Sequence, residues 1–296
     1  MRQSNIFKGS GVALVTPFQS DGEIDFVAFD RLLSEQLQSD TDFICLLGTT
    51  AETPCLSLEE KRRLIRRTVG MVDGHKPILL GCGGNNTADV AGFIKNENLT
   101  GIQGLLVVTP YYNKPRQEGL FAHYKTVCEA TDLPVVLYNV PGRCGVNMEA
   151  ETVVRIAEAC GNAVAVKEAS GNIQQIKQII ASAPEGFDVL GGDDFLAFDL
   201  MQIGASGVIS VTGNAFPNEF AEMVHALRDG RLESAERIHQ SLQPLYPLLM
   251  VDGNPSGIKA VLYKLHRLSN VLRLPLVPVS DRTLEKVEKV LDDMVI

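Results

Sequence analysis

The sequence predicts an α/β fold, a (β/α)8 barrel of the TIM type with a C-terminal helical extension. Eight short runs rich in Val, Ile and Leu recur along the chain, each closed by Gly, Pro, Asn or Asp. Stretches with helical periodicity lie between them. The 296 residues suffice for one barrel of about 250 residues with a segment to spare.

The runs, in order, are GVALVTPF (11–18), FICLLGT (43–49), PILLGCG (77–83), GLLVVTPYY (104–112), PVVLYNVP (134–141), AVAVKEAS (163–170), FDVLGGDD (187–194) and GVISVTGN (207–214). Near-continuous apolar strands are those buried on both faces, as in a parallel sheet flanked by helices. Ser57-Leu58-Glu59-Glu60 has the form of a capping box, and Leu64, Ile65, Val69 and Val72 fall on one face behind it. Thr87 to Ile94, Gly119 to Ala130, Ala150 to Ala159, Asn172 to Ala183 and Phe195 to Ile203 have the same helical pattern. Strand and helix alternating eight times point to closure into a barrel, with an open doubly wound sheet as the alternative. Residues 1–216 are expected to form the barrel. Residues 217–296 show no further strand signal and are expected to be helical, including the last barrel helix, punctuated by Pro244, Pro247, Pro255, Pro275 and Pro278.

Composition narrows the function classes. An apolar fraction of 45% is that of a globular rather than a disordered chain. With 27 basic and 36 acidic residues the net charge is −9, which argues against nucleic acid and against an anionic membrane surface as partners. No apolar run approaches the ~20 residues of a membrane span, and MRQSNIFKGSG lacks the apolar core of a signal peptide. The six cysteines show no C-x-x-C spacing and are expected to be reduced thiols of a cytoplasmic protein. The five histidines are scattered, so no metal-ligand cluster is expected.

Polar residues break the apolar runs at their C-terminal ends: Thr49 and Thr50, Tyr111 and Tyr112, Tyr138 and Asn139, Lys167, Asp193 and Asp194. In a closed barrel those ends face one mouth, where chemistry sits in this fold. Lys167 stands out because it follows Ala163–Val166, four apolar residues. An ammonium there either reaches water, pairs with a neighbour such as Glu168, or is desolvated toward its neutral, nucleophilic form. A neutral amine attacks a ketone or aldehyde to give a Schiff base, whose protonated imine is an electron sink for carbon–carbon bond chemistry. Such chemistry needs proton shuttles, and Tyr138, Thr49 and Tyr112 can supply a hydroxyl chain. Arg143, in YNVPGRCG, is expected in a Pro141-Gly142 loop, where a guanidinium can clamp a carboxylate.

Other motifs carry less. GCGGNN (81–86) lacks the third glycine of a dinucleotide fingerprint and any Walker lysine. Adjacent residues on a strand face opposite ways, so Asp193-Asp194 is expected to cap rather than to act as a pair. YKLHRL (263–268) is expected to be an ordinary helix face.

GTTAET (48–53), VTPYYNKP (108–115), YNVPGRCG (138–145), VKEASGN (166–172), GGDD (191–194) and GVISVTGN (207–214), in this order and at these spacings, resemble the dihydrodipicolinate synthase and N-acetylneuraminate lyase superfamily. The resemblance runs from about Gly9 to the C-terminus and implies the same barrel with a helical extension. It implies that Lys167 is the Schiff-base lysine that binds pyruvate. It implies that Tyr138, Thr49 and Tyr112 relay protons, Tyr112 by reaching into a neighbouring subunit's site. Thr50 resembles the residue that binds the pyruvate carboxylate. Gly192 and Ile209 match backbone positions lining the pocket, and Arg143 resembles the residue that binds the carboxylate of the second substrate.

Arg143 and the YYNKP run favour the synthase branch. That branch condenses pyruvate with L-aspartate 4-semialdehyde on the diaminopimelate route to lysine, with no metal or organic cofactor. The alternatives are a lyase for N-acetylneuraminate or a 2-keto-3-deoxy sugar acid, and a non-catalytic barrel that binds a keto acid. The resemblance also implies a homotetramer built as a dimer of dimers. Two departures matter. Ala51 stands where most members carry glycine. Asn85, Asp89 and Tyr111 match inhibitor-contact positions, but Leu58 and Lys61 stand where lysine-sensitive members often place histidine, so weak or absent feedback inhibition is expected.

Overall fold

The computed structural model describes residues 3–294. Eight strands form a closed barrel in sequence order: β1 (Gly9–Ala13), β2 (Phe43–Leu46), β3 (Ile78–Gly81), β4 (Gly104–Val108), β5 (Val135–Asn139), β6 (Ala163–Glu168), β7 (Asp188–Gly191) and β8 (Gly207–Ser210). Ladders such as β4–β5, β5–β6 and β6–β7 are parallel. All eight fall within or beside the predicted apolar runs. Nearly every strand residue is buried, as expected where both faces of a parallel sheet are covered.

Thirteen helices of at least one turn occur among the described residues: α1 (Phe26–Gln38), α2 (Leu58–Val72), α3 (Thr87–Asn96), α4 (Gln117–Cys128), α5 (Pro141–Cys144), α6 (Ala150–Ala159), α7 (Ile173–Ser182), α8 (Ala197–Gln202), α9 (Pro217–Arg228), α10 (Leu232–Leu242), α11 (Tyr246–Met250), α12 (Ser256–Lys264) and α13 (Asp281–Asp293). The Ser57 capping box is present: Ser57 Oγ accepts from the Glu60 N–H at 3.2 Å, and Glu60 Oε2 accepts from the Ser57 N–H at 2.8 Å. Helix α1 is additional to the predicted elements; Asp25 caps it, and Ala28, Phe29, Leu32 and Leu33 form its buried face.

The chain divides into two compact units. One comprises residues 3–8 and Pro77–Ile209; the other comprises Gly9–Lys76 and residues 210–294. In the first, Leu105, Val107, Leu137, Val164, Val166 and Val189 are buried on the strands, with α6 packed on β6 and α7 on β7. In the second, Phe29, Leu33, Phe43, Phe220 and Val224 are buried, and α9 packs on β1.

Four local expectations are corrected. The run 11–18 leaves the ladder at Ala13 because a side chain takes over its pairing. Asn214 Nδ2 donates to Ala13 O at 2.9 Å, and Val15 N–H donates to Asn214 Oδ1 at 3.0 Å. The Pro141-Gly142 segment is a single helical turn, α5, rather than a loop; Pro141 presets its first φ and Gly145 ends it in the left-handed region. The stretch 195–203 is split between a 3-10 turn (Asp194–Leu196) and the short α8. Helix α12 stops at Lys264, so 263–268 is not a continuous helix face. The Arg267 N–H donates to Leu262 O and the His266 N–H to Tyr263 O, the two bonds of a Schellman cap, with His266 at φ 56° in the position glycine usually fills.

Candidate active site

Strand alternation separates Lys167 from Glu168. Glu168 faces away from the lysine into a closed polar network. Its Oε1 accepts from Asn139 Nδ2 at 2.7 Å and from Gln175 Nε2 at 3.2 Å, and its Oε2 accepts from Ser170 Oγ at 2.6 Å. Burial pushes the Glu168 carboxyl up, and these three donors hold it down only in part. Asn139 also fixes the next loop, accepting the Met148 N–H at 2.9 Å. The Lys167–Glu168 pairing that the sequence left open is therefore not the arrangement found.

Lys167 is 6% exposed at the end of β6. Tyr138, also 6% exposed, is its register partner on β5. The Lys167 Nζ lies 4.5 Å from the centroid of the Tyr138 ring. An aromatic face attracts the charged form of an amine, and burial opposes it.

Gly192 follows β7 and shapes the same place. A β-carbon there would lie 2.7 Å from Ala169 Cβ, 3.0 Å from Glu168 O and 3.1 Å from Lys167 Cε. Its N–H already donates to Glu168 O at 2.8 Å. Glycine thus lets the end of β7 close against the lysine stem. Asp193 comes next and has no cap hydrogen bond from its side chain, so the expected capping role is corrected. Burial pushes its carboxyl up, while Lys167 and Arg143 act on it as opposing cations. No local signal around Asp193 in the sequence announces this tie to the lysine. Ile209 is fully buried in β8.

Arg143 is exposed on the α5 turn, where its N–H donates to Val140 O at 2.9 Å. Tyr112 is not brought to Lys167 by its own chain. It is 83% exposed, in the loop after β4, at φ 76°. Lys114 in the same loop also has a positive φ, and its Cε lies 3.1 Å from the β-carbon position of Gly145. This loop holds the Tyr112 ring out to solvent.

In the second unit, β2 runs into a 3-10 turn, Thr49–Ala51. Thr50 is buried, and its Oγ1 accepts from Asn254 Nδ2 at 3.0 Å. Ala51 is not among the positive-φ residues; the left-handed position is Glu52, at φ 55°. A β-carbon at position 51 therefore meets no backbone restriction. No group of three or more His, Cys, Asp or Glu side chains that could hold a metal ion occurs among the described residues. None of the described helices is long and apolar enough to cross a membrane.

A model of the dihydrodipicolinate synthetase family matches residues 6–294. The 4-hydroxy-tetrahydrodipicolinate synthase of Phocaeicola vulgatus is 52% identical over 287 residues, 97% of each chain. That of Parabacteroides distasonis is 53% identical over 284 residues, 96% of each chain. The crystal structure of dihydrodipicolinate synthase from Thermotoga maritima superposes with a TM-score of 0.95 at 42% identity, covering 98% of this chain and 99% of that one.

Proposed function

The chain belongs to the dihydrodipicolinate synthetase family, and from that premise we propose that it is a cytoplasmic 4-hydroxy-tetrahydrodipicolinate synthase that condenses pyruvate with L-aspartate 4-semialdehyde through Lys167. The observation that carries the assignment of Lys167 is its burial against Tyr138, with Gly192 closing on its stem. The six cysteines are thiols rather than disulfides, in keeping with a reducing compartment.

The Lys167 amine adds to the keto carbon of pyruvate, and the carbonyl oxygen leaves as water to give a protonated imine. Loss of a proton from the methyl carbon turns the imine into an enamine. That carbon then attacks the aldehyde carbon of the semialdehyde, whose oxygen takes up a proton and becomes a hydroxyl. The amino group of the acceptor adds to the imine carbon, closes the ring and releases Lys167 as the free amine. The protonated imine is itself the electron sink, so no step calls for a metal or an organic cofactor.

Tyr138, at the lysine, is the natural carrier of these protons, with Thr49 and a neighbouring subunit's Tyr112 completing the relay. The exposure and left-handed backbone of Tyr112 support a role outside its own chain. The assembly is then at least a dimer, and by resemblance a homotetramer. Thr50 binds the pyruvate carboxylate, Gly192 and Ile209 line the pocket through their backbones, and Arg143 holds the acceptor carboxylate by a two-point contact.

The test is pyruvate consumption with L-aspartate 4-semialdehyde, beside N-acetylmannosamine and glyceraldehyde, in the wild type and in Arg143→Ala. Turnover with the semialdehyde alone, reduced on the order of 10²-fold in the variant, is the expected result. Turnover with a sugar aldehyde, indifferent to Arg143, would reassign the chain to the lyase branch.

A further inference from the structure

Beneath the Thr49–Ala51 turn lies a charge cluster that the mechanism does not use. Lys259, on α12, is 0% exposed, and Glu52 is 1% exposed. Their side chains meet at 2.5 Å, Nζ to Oε1. The second oxygen of Glu52 accepts the Arg273 N–H at 2.9 Å, so both carboxylate oxygens are held. Lys259 Nζ also donates to Val271 O at 3.0 Å. The Arg273 guanidinium donates to both oxygens of Glu60, at 2.9 and 2.5 Å, and to the carbonyls of Gly22 and Cys55. The Lys259 ammonium and the Arg273 guanidinium both stack on the ring of Phe18, at 4.2 and 4.5 Å from its centroid.

Two cations and two carboxylates make this cluster neutral as a whole. Burying such a pair is no efficient route to stability, because well-packed apolar residues of similar volume serve as well or better. A buried pair does fix geometry, since both partners must meet in one arrangement. The geometry fixed here is that of the loop carrying Thr49 and Thr50. Glu52 has a left-handed backbone although it has a β-carbon. Such a residue persists where its surroundings over-determine it, and both oxygens of Glu52 are anchored. Further ties run in the same direction. Thr53 Oγ1 donates to Leu47 O and Gly48 O at 2.8 and 2.9 Å, and Thr16 Oγ1 donates to Ala51 O at 2.9 Å. Asn254, two residues before α12, holds Thr50 Oγ1.

We propose that the buried Glu52–Lys259 pair is a positioning device that sets the Thr49 and Thr50 hydroxyls for relay and carboxylate binding; this rests on the reading of those two threonines given above. Neither residue touches substrate. Removing the ammonium frees the Glu52 carboxylate to turn toward water and lets the left-handed turn relax. Burial already pushes Lys259 down to about 8, so the ammonium is held there by Glu52 rather than by solvent.

The test compares Lys259→Met, the double variant Glu52→Gln/Lys259→Met, Thr50→Ala and Asp42→Asn. The last of these lies just before β2 and pairs with Ser10 and His225, outside this cluster. The readouts are melting temperature, KM for pyruvate, kcat, and borohydride trapping of pyruvate on Lys167. Lys259→Met is expected to raise KM for pyruvate and lower kcat, with kcat/KM down about 10²-fold, while trapping at saturating pyruvate persists. The double variant is expected to recover melting temperature without recovering KM, which a merely structural pair would not do. Asp42→Asn is expected to lose melting temperature with KM unchanged. Recovery of KM in step with melting temperature, or a KM in Lys259→Met within twofold of wild type while Thr50→Ala raises it, would overturn the positioning role alone. An unchanged KM in Thr50→Ala would overturn the threonine reading and the positioning role together.

Discussion

Tyr138 and Lys167 are register partners on adjacent parallel strands, and the lysine Nζ sits 4.5 Å from the tyrosine ring centroid. The backbone ladder, rather than a loop, thus sets the distance between the amine and this tyrosine. Sites built on strands hold their geometry more tightly than sites on loops. Tyr138→Phe keeps the ring against the amine and removes only the hydroxyl. It is expected to leave the unfolding free energy within about 1 kcal/mol of wild type and to lower kcat by about 10²–10⁴-fold. Lys167→Ala is expected to abolish borohydride trapping of pyruvate altogether. A mass adduct elsewhere on the chain in that variant would refute Lys167 as the nucleophile.

Gly192→Ala addresses the same amine from the other side. The added methyl meets Ala169 Cβ at 2.7 Å and a backbone oxygen at 3.0 Å, neither of which can swing away, and the Lys167 stem at 3.1 Å. The end of β7 must shift, and the lysine with it. The expected outcome is a folded protein whose kcat/KM falls on the order of 10²-fold, read by steady-state kinetics. Kinetics indistinguishable from wild type would mean that the pocket yields without moving the amine.

How much of this could be read in the sequence depends on how far apart the interacting residues lie. The strands were legible because Val, Ile and Leu runs closed by turn residues are a local signal. Lys167 was legible because a charge ending such a run is anomalous by itself. The end of β1 was not, because the side chain that replaces its ladder belongs to Asn214, 199 residues from Val15. The Glu52–Lys259 pair spans 207 residues and has no local signature at all. The α5 turn was hidden for a different reason: Pro-Gly is common to loops and to helix starts, and only the Val140 carbonyl, which takes the Arg143 and Cys144 N–H groups, distinguishes them. Asn139 and Gln175 were missed as the partners of Glu168 because strand alternation says which way a side chain faces but not what awaits it.

Glu168 offers a test of that last network. Glu168→Ala would strand the Asn139, Gln175 and Ser170 donors in the interior. A loss of about 2–4 kcal/mol in denaturant unfolding is expected. Glu168→Gln keeps an acceptor for Asn139 and presents an N–H to the Ser170 hydroxyl, so it is expected to cost less than about 1.5 kcal/mol. Equal losses in the two variants would show that packing, not the hydrogen bonds, holds this corner.

Leu58 and Lys61 lie on the first turn of α2, and Leu58 is among the exposed large apolar residues. Burial pushes the Lys61 ammonium down. An ammonium repels a cationic effector brought near it, which is the basis for expecting weak or absent inhibition by lysine. Isothermal titration with L-lysine is expected to show no binding in the micromolar range. Micromolar binding with saturable inhibition would refute the expectation and make Lys61 a tolerated neighbour of the effector.

The Asp42–His225 pair predicts a pH dependence of stability. Asp42 Oδ2 takes the Ser10 N–H at 2.7 Å and lies 2.7 Å from His225 Nε2. Burial pushes the Asp42 carboxyl up, but the His225 hydrogen bond and the Ser10 N–H bring it to a net value below the ordinary 3.8. The hydrogen bond to Asp42 raises His225 above 6.5, against a smaller opposing effect of burial. A histidine raised in the folded state contributes stability in full below its ordinary value and loses it as pH rises through the folded one. A carboxyl lowered in the folded state contributes above its ordinary value and loses it as pH falls through the folded one. The two contributions overlap between the ordinary values of the two groups, 3.8 and 6.5. Asp42→Asn is therefore expected to cost about 1.5–3 kcal/mol in the middle of that window and progressively less as the solution is made alkaline. Thermal melts of wild type and variant across that range check it. A stability difference that stays constant, or grows, on the alkaline side would show that His225 is not charged against Asp42 in the folded protein.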